Sequence, residues 1–592
     1  MNDMALGQQL QIYLATSALL ASLCLLGLLP LWVLSRIQPF RRNSGLLIKL
    51  GIWLPAGIAA TLILMLVDNF TYTLFKFGVV STAGWSRALY GLAFVGITVV
   101  CFWRMLKILP KLESATLTWG LTPKGIFLLL AGVLLLSAAF LVSPGQARTQ
   151  PLSSADSAKS TAQPHILLIT ADGLDATHLS LYGYDRDTTP QLRELAATSL
   201  VAENAFSNFD HTTGSILSIY TGKYPLQTRL FHYPPDILEG QDSYEHLPGL
   251  LLAQGYRTVE IGIPSFLETN RMNMLDGFEE IKMSQVIFSK NINTILKVLP
   301  SDKALFIDEV FKRVVDRVRH VFFINTMVNP YLMVTRMSSL TIDTERWEML
   351  KQEVRSARKP LFIHIHLMVT HGKTFNPRVQ KFSAGQSIET QKPWNQDLYD
   401  DAILDFDANV GELVDFLTDE GVMDNTILII GSDHGQQWDL SHRVPLLIRF
   451  PHGQYAARLQ SHAQNLDIAP TVLDYVGLDQ PDWMPGRSLI DGDPGHRPIF
   501  SLSAIYSEDE ALNNTRNDLL DESYPFDTFL VNMAYCQKWY QLEVTSMSWE
   551  SGTVEGSTST CPPESQISDE QALEWITAYL EENSVKIPRM EP

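Results

Sequence analysis

Residues 165–173 read HILLITADG, a short apolar run that ends in a polar turn. Four to eight apolar and β-branched residues followed by Asp and Gly are typical of a buried strand. Two later stretches repeat the pattern: residues 361–372 read LFIHIHLMVTHG, and residues 426–435 read TILIIGSDHG. From residue 164 onwards such runs alternate with amphipathic helical patterns. This alternation predicts an α/β domain with a mainly parallel sheet.

Polar side chains follow each of these three strands, namely Asp172, His371 and the pair Asp433 and His434. Ligands of open α/β sheets bind at the carboxyl ends of the strands, so we expect these side chains to converge. Taken singly they are weak signals, because an Asp after a strand is more often a turn former or a helix cap. Their conjunction predicts a metal site, since carboxylate and imidazole groups on a rigid frame suit divalent ions.

A hydroxyl group is supplied by residues 208–225, which read NFDHTTGSILSIYTGKYP. The pattern predicts a helix that starts near Thr212 and ends at Thr221 and Gly222. A hydroxyl at a helix start either caps the helix or lies where the helix dipole favours an anion. Capping is the commoner role, but the polar residues at the neighbouring strand ends favour a role in anion binding.

Several segments together resemble the sulfatase-like branch of the alkaline phosphatase superfamily. The match runs in order from about His165 to Leu489 and is carried by ILLITADGL, TTGSILSIYTGKYP, TILIIGSDHG, HRVPLLIRFP and NLDIAPTVLDYVGL. The resemblance implies an alkaline-phosphatase-like (sulfatase) catalytic domain, which we place at residues 164–491. It also implies one bound divalent metal ion held by Asp172, Thr212, Asp433 and His434. Zinc or manganese is the expected ion, with calcium and magnesium as alternatives.

The same resemblance implies catalytic roles for three side chains. Thr212 would be the nucleophile as well as a metal ligand, and His371 and His442 would line the leaving-group side. Thr213 is the rival nucleophile. Thr212 is favoured over it because the Thr-x-x-Ser spacing to Ser215 fits the family pattern.

The nucleophile segment departs from the sulfatase pattern in an informative way. Soluble sulfatases place a Cys or Ser at the position of Thr212, convert it to formylglycine, and have an Arg where this chain has Ile216. A Thr cannot take that route, so we expect a phosphoester rather than a sulfate ester. A Thr nucleophile on a multi-span anchor is similar to lipoteichoic acid synthases and lipid A phosphoethanolamine transferases. Those groups usually have five spans and a Glu where this chain has Asp172.

Residues 1–142 predict an all-α transmembrane domain of four helices. The apolar runs, each near the roughly 20 residues that cross a bilayer, are Leu10–Leu34, Leu47–Val67, Ala88–Leu109 and Gly125–Val142. Lys and Arg concentrate in the first and third loops, which the positive-inside rule assigns to the cytoplasm. We therefore expect a multi-pass protein of the plasma (inner) membrane whose C-terminal domain is periplasmic or extracellular.

The rest of the chain is less specific. Residues 143–163, rich in Ser, Ala, Gln and Pro, predict a flexible linker. Residues 492–592 predict a C-terminal subdomain packed on the sheet, in which Cys536 and Cys561 either form a disulfide or remain free thiols.

The net charge and the segment at residues 303–337 indicate which partners the protein binds. The formal net charge of −19 argues against nucleic-acid binding. Residues 303–337 form a basic amphipathic pattern, which indicates either a helix packed on its own domain or a helix on a membrane surface. The second alternative would make a membrane lipid or a lipid-linked glycan the donor or acceptor. The sequence leaves the oligomeric state open.

These observations predict a membrane-anchored, divalent-metal-dependent hydrolase or transferase. It would act on a phosphoester, or alternatively a sulfate ester, through Thr212 at the outer face of the membrane. Water would take the substituent in a hydrolase, and an acceptor hydroxyl would take it in a transferase. The alternative function is a catalytically inactive sulfatase-fold protein that senses lipid.

Overall fold

The structure is a computed structural model of the 592-residue chain. It describes residues 44–75, 85–118, 163–231, 237–263, 272–282, 339–371, 375–388, 394–492, 495–505, 528–559 and 561–585, and in addition the single residues Leu267 and Thr269. The first and fourth predicted spans, the predicted linker up to residue 162 and the 303–337 insertion lie outside these residues. Two compact units are present, one built on the N-terminal helices and one on the α/β domain, and each is described by itself.

The first unit contains two long helices, α1 (Ser44–Phe75) and α2 (Trp85–Thr118). They pack on each other through an apolar cluster of Ile52, Ala56 and Phe102. Among the described residues one helical segment, Ala88–Ile108, is long and apolar enough to cross a membrane, and Gly51–Leu64 of α1 is shorter. The predicted domain of four spans is therefore not established.

The second unit is built on one sheet of eight strands: β1 (His165–Ala171), β2 (Leu200–Phe206), β3 (Arg257–Ile261), β4 (Glu280–Lys282), β5 (Leu361–Leu367), β6 (Thr426–Ser432), β7 (Leu446–Arg449) and β8 (Ala457–Gln464). Their order is β4-β3-β5-β1-β6-β7-β2-β8. Strand β7 runs antiparallel to both of its neighbours, and all other pairs are parallel. The predicted α/β class is confirmed, with a sheet that is mixed.

Helices cover both faces of this sheet: α3 (Pro190–Ala196), α4 (Thr212–Thr221), α5 (Pro225–Thr228), α6 (Leu247–Ala253), α7 (Ser339–Arg355), α8 (Gln396–Asp419) and α9 (Ile468–Tyr475). In β1, Ile166 and Leu168 belong to the apolar core that includes α4, α6 and α9. Leu167 and Ile169 belong to the core that includes α3, α7 and α8. Burial on both faces explains why the strand sequences are continuous apolar runs.

The helix predicted from TTGSILSIYT is α4, and every one of its residues is buried. It ends at Gly222, whose left-handed φ of 66° is typical of a glycine that terminates a helix. Its first turn lies against Phe209, because a Cβ on Gly214 would come within 2.5 Å of Cδ1 of that ring. A glycine is therefore required there for the helix to approach the segment that precedes it.

The C-terminal region forms a second, antiparallel sheet in the order β12-β11-β10-β9. Its elements are β9 (Ile499–Ile505), β10 (Thr528–Tyr535), β11 (Lys538–Glu543), β12 (Ser548–Thr553) and the helix α10 (Asp569–Glu582) that packs on it. A disulfide joins Cys536 to Cys561. Strand β9 also holds the segment before α4, since the backbone N–H of Leu502 donates to the carbonyl of Asn208 at 3.0 Å.

Candidate active site

Asp172 lies at the carboxyl end of β1 and is 1% exposed. Its backbone N–H donates to the carbonyl of Leu367 on β5 at 2.9 Å, and its carbonyl accepts from Thr370 Oγ1 at 2.7 Å. Gly173 follows with a φ of 66°, a left-handed conformation that few other residues adopt. This turn leaves the Asp172 carboxylate fixed at the sheet edge.

Asp433 and His434 follow β6, the strand on the other side of β1. Asp433 Oδ1 accepts from the backbone N–H groups of Gly173 at 3.1 Å and His434 at 2.8 Å, which leaves Oδ2 for another partner. His434 Nδ1 donates to the carbonyl of Gly435 at 2.9 Å. Its Nε2 faces Asp172 Oδ1 at 3.6 Å and Asp433 Oδ2 at 3.5 Å.

These three residues fit a metal ion. One ligand atom from each of Asp172, Asp433 and His434 lies within 4.8 Å of the others. Asp172 Oδ1 and Asp433 Oδ2 are also buried atoms without a hydrogen-bond partner among the described residues. A buried carboxylate oxygen without a partner is costly, and a cation between the two would satisfy both. Two carboxylates with an imidazole suit zinc or manganese better than calcium or magnesium, which prefer oxygen alone.

Thr212 is the first residue of α4 and is 6% exposed. The N-cap position is taken by His211, which makes no side-chain capping bond. The Thr212 hydroxyl instead donates to Asp172 Oδ2 at 3.0 Å, so it faces the carboxylate cluster. Ser215 Oγ donates to the backbone carbonyl of Asp433, which ties α4 to the turn after β6.

Neighbouring histidines keep Asp172 in its charged form. Burial works to raise the pKa of Asp172, but the charge of His371 and the neighbouring imidazoles of His366 and His434 together hold that pKa below its usual range. For His434 burial lowers the pKa, while the charges of Asp433 and Asp172 raise it above the usual value. The site therefore keeps an ionised carboxylate despite full burial.

His442 forms a hydrogen-bonded pair with Asp175, a residue that the sequence did not single out. His442 Nδ1 donates to Asp175 Oδ2 at 2.6 Å, and Asp175 Oδ1 accepts from the N–H of Thr177 at 2.8 Å. Burial lowers the pKa of His442, but the hydrogen bond and charge of Asp175 raise it to about 9. A histidine protonated at neutral pH can act as a general acid.

A cavity of about 150 Å³ opens beside the carboxylates. It is lined by Asp172, Gly173, Thr370, His371, Trp394, His434, Gln436, Gln437 and Trp438. Trp438 stacks on His211, with ring centroids 6.0 Å apart. Both Gln437 and Trp438 have left-handed φ angles, 54° and 63°. Such strain in non-glycine residues is concentrated at functional sites.

Lys223 follows the end of α4 and is not among the residues that line the cavity. It is 5% exposed, and its ammonium group pairs with Asp242 and Glu245. Its role is therefore structural.

His366 belongs to the centre, although the sequence drew attention only to the end of β5. Its Nε2 lies 3.4 Å from Asp172 Oδ2 and 3.6 Å from Asp433 Oδ2. The signal that could have found it is the HIH alternation, because a strand period of two places His364 and His366 on one face.

The α/β fold and the carboxylate cluster at the strand ends define a domain of the sulfatase type. Residues 164–478 match the sulfatase family, and the chain belongs to that family.

Curated relatives and solved structures agree with this assignment. N-acetylglucosamine-6-O-sulfatase of Bacteroides thetaiotaomicron is 34% identical over 100 residues, which span 15% of this chain and 18% of the relative. N-acetylgalactosamine-6-sulfatase of Rattus norvegicus is 22% identical over 382 residues, 57% of this chain and 68% of the relative. The phosphonate monoester hydrolase SpPMH from Silicibacter pomeroyi shares the fold, with a TM-score of 0.50, 16% identity, and coverage of 72% of this chain and 96% of that one.

Proposed function

We propose that this sulfatase-family chain is a divalent-metal-dependent phosphoester hydrolase that uses Thr212 as its nucleophile at the outer face of a membrane. The observation that carries the proposal is the position of the Thr212 hydroxyl. It lies 3.0 Å from Asp172 Oδ2, at the start of α4 and next to the unpartnered oxygens of Asp172 and Asp433. A hydroxyl held there is in place to attack an anionic ester bound at the same cluster.

The side chains divide the work of an in-line displacement. A divalent ion held by Asp172, Asp433 and His434 would lower the pKa of the Thr212 hydroxyl and neutralise charge on the phosphoryl oxygens. Thr212 Oγ, having lost its proton to solvent, forms the new bond to phosphorus as the bond to the leaving oxygen breaks. His442 gives its proton to that oxygen. Water then attacks phosphorus, one proton of the water restores His442, and the bond between phosphorus and Thr212 Oγ breaks to return the Thr212 alkoxide.

A phosphoester is favoured over a sulfate ester by one feature of the site. Thr212 stands where sulfatases carry the residue that becomes formylglycine, so the usual sulfatase nucleophile is not formed. Among the described residues, those that line the cavity include histidines but no Lys or Arg. Anion binding would therefore depend chiefly on the metal ion, His371 and the first-turn N–H groups of α4.

The membrane location and the acceptor belong to the same proposal. The apolar segment Ala88–Ile108 and the basic first and third loops support an anchored protein with an outer catalytic domain. The Cys536–Cys561 disulfide supports an oxidising compartment. A membrane lipid or a lipid-linked glycan is the proposed substrate class, and an acceptor hydroxyl in place of water would make the enzyme a transferase.

The test uses the purified full-length chain in detergent. We would measure its metal content and its turnover of a chromogenic phosphodiester, phosphomonoester and sulfate ester. Thr212→Ala should lower phosphoester turnover on the order of 10³-fold or more, because the nucleophile is lost. Thr213→Ala is the matched control on the next residue and should stay within a few-fold of the wild type.

The results separate the two candidate functions. Equal loss in both threonine variants would refute Thr212 as the nucleophile. Metal-free protein without turnover on any of the three esters would instead favour the catalytically inactive lipid sensor.

A further inference from the structure

His366 is a buried histidine whose ring nitrogen faces two carboxylates, a position that a purely structural role does not explain. It is fully buried in β5, and its Nε2 points between the carboxylates of Asp172 and Asp433. Among the described residues this nitrogen has no hydrogen-bond partner. An N–H left unsatisfied in such a place costs free energy, whereas a lone pair directed at a cation is satisfied.

The spacing of these atoms fits coordination of one ion. Nitrogen and oxygen ligands about 2.0–2.2 Å from a tetrahedral ion lie roughly 3.3–3.6 Å from one another. His366 Nε2 is 3.4 Å from Asp172 Oδ2 and 3.6 Å from Asp433 Oδ2. His434 Nε2 approaches the same two carboxylates at 3.6 Å and 3.5 Å.

A chain of buried polar groups runs from His366 into the core. Thr170 Oγ1 on β1 lies 2.8 Å from His366 Nδ1 and 2.8 Å from His364 Nε2. The Tyr220 hydroxyl on α4 bonds His364 Nδ1 and donates to Glu260 Oε1 on β3 at 3.2 Å. All five residues are fully buried. Such a chain is costly to bury and is satisfied only if every proton has one acceptor.

Glu260, at the far end of this series of polar groups, fixes the direction of every hydrogen bond in it. The Tyr220 hydroxyl donates its one proton to Glu260 Oε1, because an ionised carboxylate can only accept. Burial and the charge of Glu260 also raise the pKa of Tyr220 well above its usual value. The Tyr220 hydroxyl therefore accepts from His364 Nδ1–H, and His364 Nε2 accepts from the Thr170 hydroxyl. Thr170 in turn accepts from His366 Nδ1–H, which places the lone pair of His366 on Nε2.

We propose that His366 is a further ligand of the metal ion, and that Tyr220 and Glu260 are positioning residues that fix its tautomer through His364 and Thr170. The inference rests on the metal centre of the proposed function and extends it. The group that hydrogen-bonds the other ring nitrogen orients a metal-binding histidine, and removing such a partner typically costs about 10-fold to 100-fold in metal affinity.

The ligand itself is tested by X-ray absorption at the zinc edge on the zinc-loaded full-length protein. The wild type should show two imidazole ligands, and both His366→Ala and His434→Ala should show one. A single imidazole in the wild type, or an unchanged count in His366→Ala, would overturn the proposal. Failure of the wild type to retain zinc would overturn the proposed metal centre as well, so the two failures are distinguishable.

The relay is tested by zinc affinity, measured by competition with a chelator. Tyr220→Phe keeps the ring and removes the hydroxyl, and it should weaken zinc binding about 10-fold to 100-fold. Tyr256→Phe is the matched control, because Tyr256 is a buried tyrosine in the same core whose hydroxyl has no hydrogen-bond partner among the described residues. Equal affinities in the two variants would refute the relay, and thermal unfolding without metal checks that both variants fold.

Discussion

If His442 is the general acid, its pairing with Asp175 should make turnover fall at alkaline pH. With its pKa raised to about 9 by Asp175, His442 is protonated at neutral pH and loses its proton as the pH rises through about 9. As a general acid it must carry that proton, so kcat/KM should fall above about pH 9. In Asp175→Asn the charge is gone, and the pKa of His442 should fall towards the usual 6.5. The alkaline limb should then move to lower pH.

This shift is measured from kcat/KM against pH with a chromogenic phosphoester. His442→Gln is the companion variant and should lack the limb altogether. A limb that stays near pH 9 in Asp175→Asn would show that another group provides the proton.

Trp438 forms one wall of the cavity and is held there by a strained backbone. It is 39% exposed and stacks on His211, the residue before Thr212. If it contacts substrate in the ground state and the transition state alike, Trp438→Ala should raise KM about 5-fold to 20-fold with kcat nearly unchanged. Trp438→Phe keeps an aromatic face and should recover most of the affinity. A fall in kcat at constant KM would contradict a role in binding alone.

The close contact between α4 and the segment before it limits what the helix start tolerates. In Gly214→Ala the new Cβ would lie 2.5 Å from Phe209 Cδ1. Overpacking of this kind typically costs about 1–3 kcal/mol, and here it would also displace Thr212. We expect a lower unfolding midpoint together with lower turnover. Ser218→Ala in the same helix, whose hydroxyl bonds only the Gly214 carbonyl among the described residues, should change both little.

The disulfide holds the C-terminal sheet rather than the candidate site. Cys536 and Cys561 are 25 residues apart, a separation for which loop closure predicts about 3–4 kcal/mol of stabilisation. Replacing both by Ser should lower the free energy of unfolding, measured in urea, by about 3–4 kcal/mol. Bound metal and turnover at low denaturant should stay near wild type. Loss of metal in the folded variant would show that the sheet transmits strain to the centre.

The secondary-structure elements show what local sequence can predict. The apolar runs ending at Asp172 and Asp433, and the helix beginning at Thr212, are visible because period, length and end signals agree. The antiparallel direction of β7 could not be predicted from the sequence. Its four residues LLIR are all buried, and such a pattern is the same for a parallel and an antiparallel strand. His366 was missed because its importance comes from β1 and β6, which lie beside it only after folding.

The outer position of the catalytic domain can be tested in cells. Val379 is 63% exposed, so Val379→Cys should react with a membrane-impermeant maleimide. In intact cells with a permeable outer envelope we expect labelling of this variant and only background labelling of the wild-type chain. Labelling that requires lysis of the plasma membrane would place the domain in the cytoplasm and contradict the proposed topology.

The order of strands in the large sheet delays the pairing of β1 during synthesis of the chain. Strand β1 is the first of the sheet to leave the ribosome, yet its hydrogen-bonded neighbours β5 and β6 lie about 196 and 260 residues downstream. At ordinary rates of translation this delay is roughly 10–50 s. During this delay a largely apolar strand has no neighbouring strand with which to pair, which exposes the nascent chain to aggregation. The centre that joins Asp172 to Asp433 thus cannot exist until nearly three quarters of the polypeptide has been made, and a chain truncated before that point would contain Asp172 and Thr212 without Asp433 and His434.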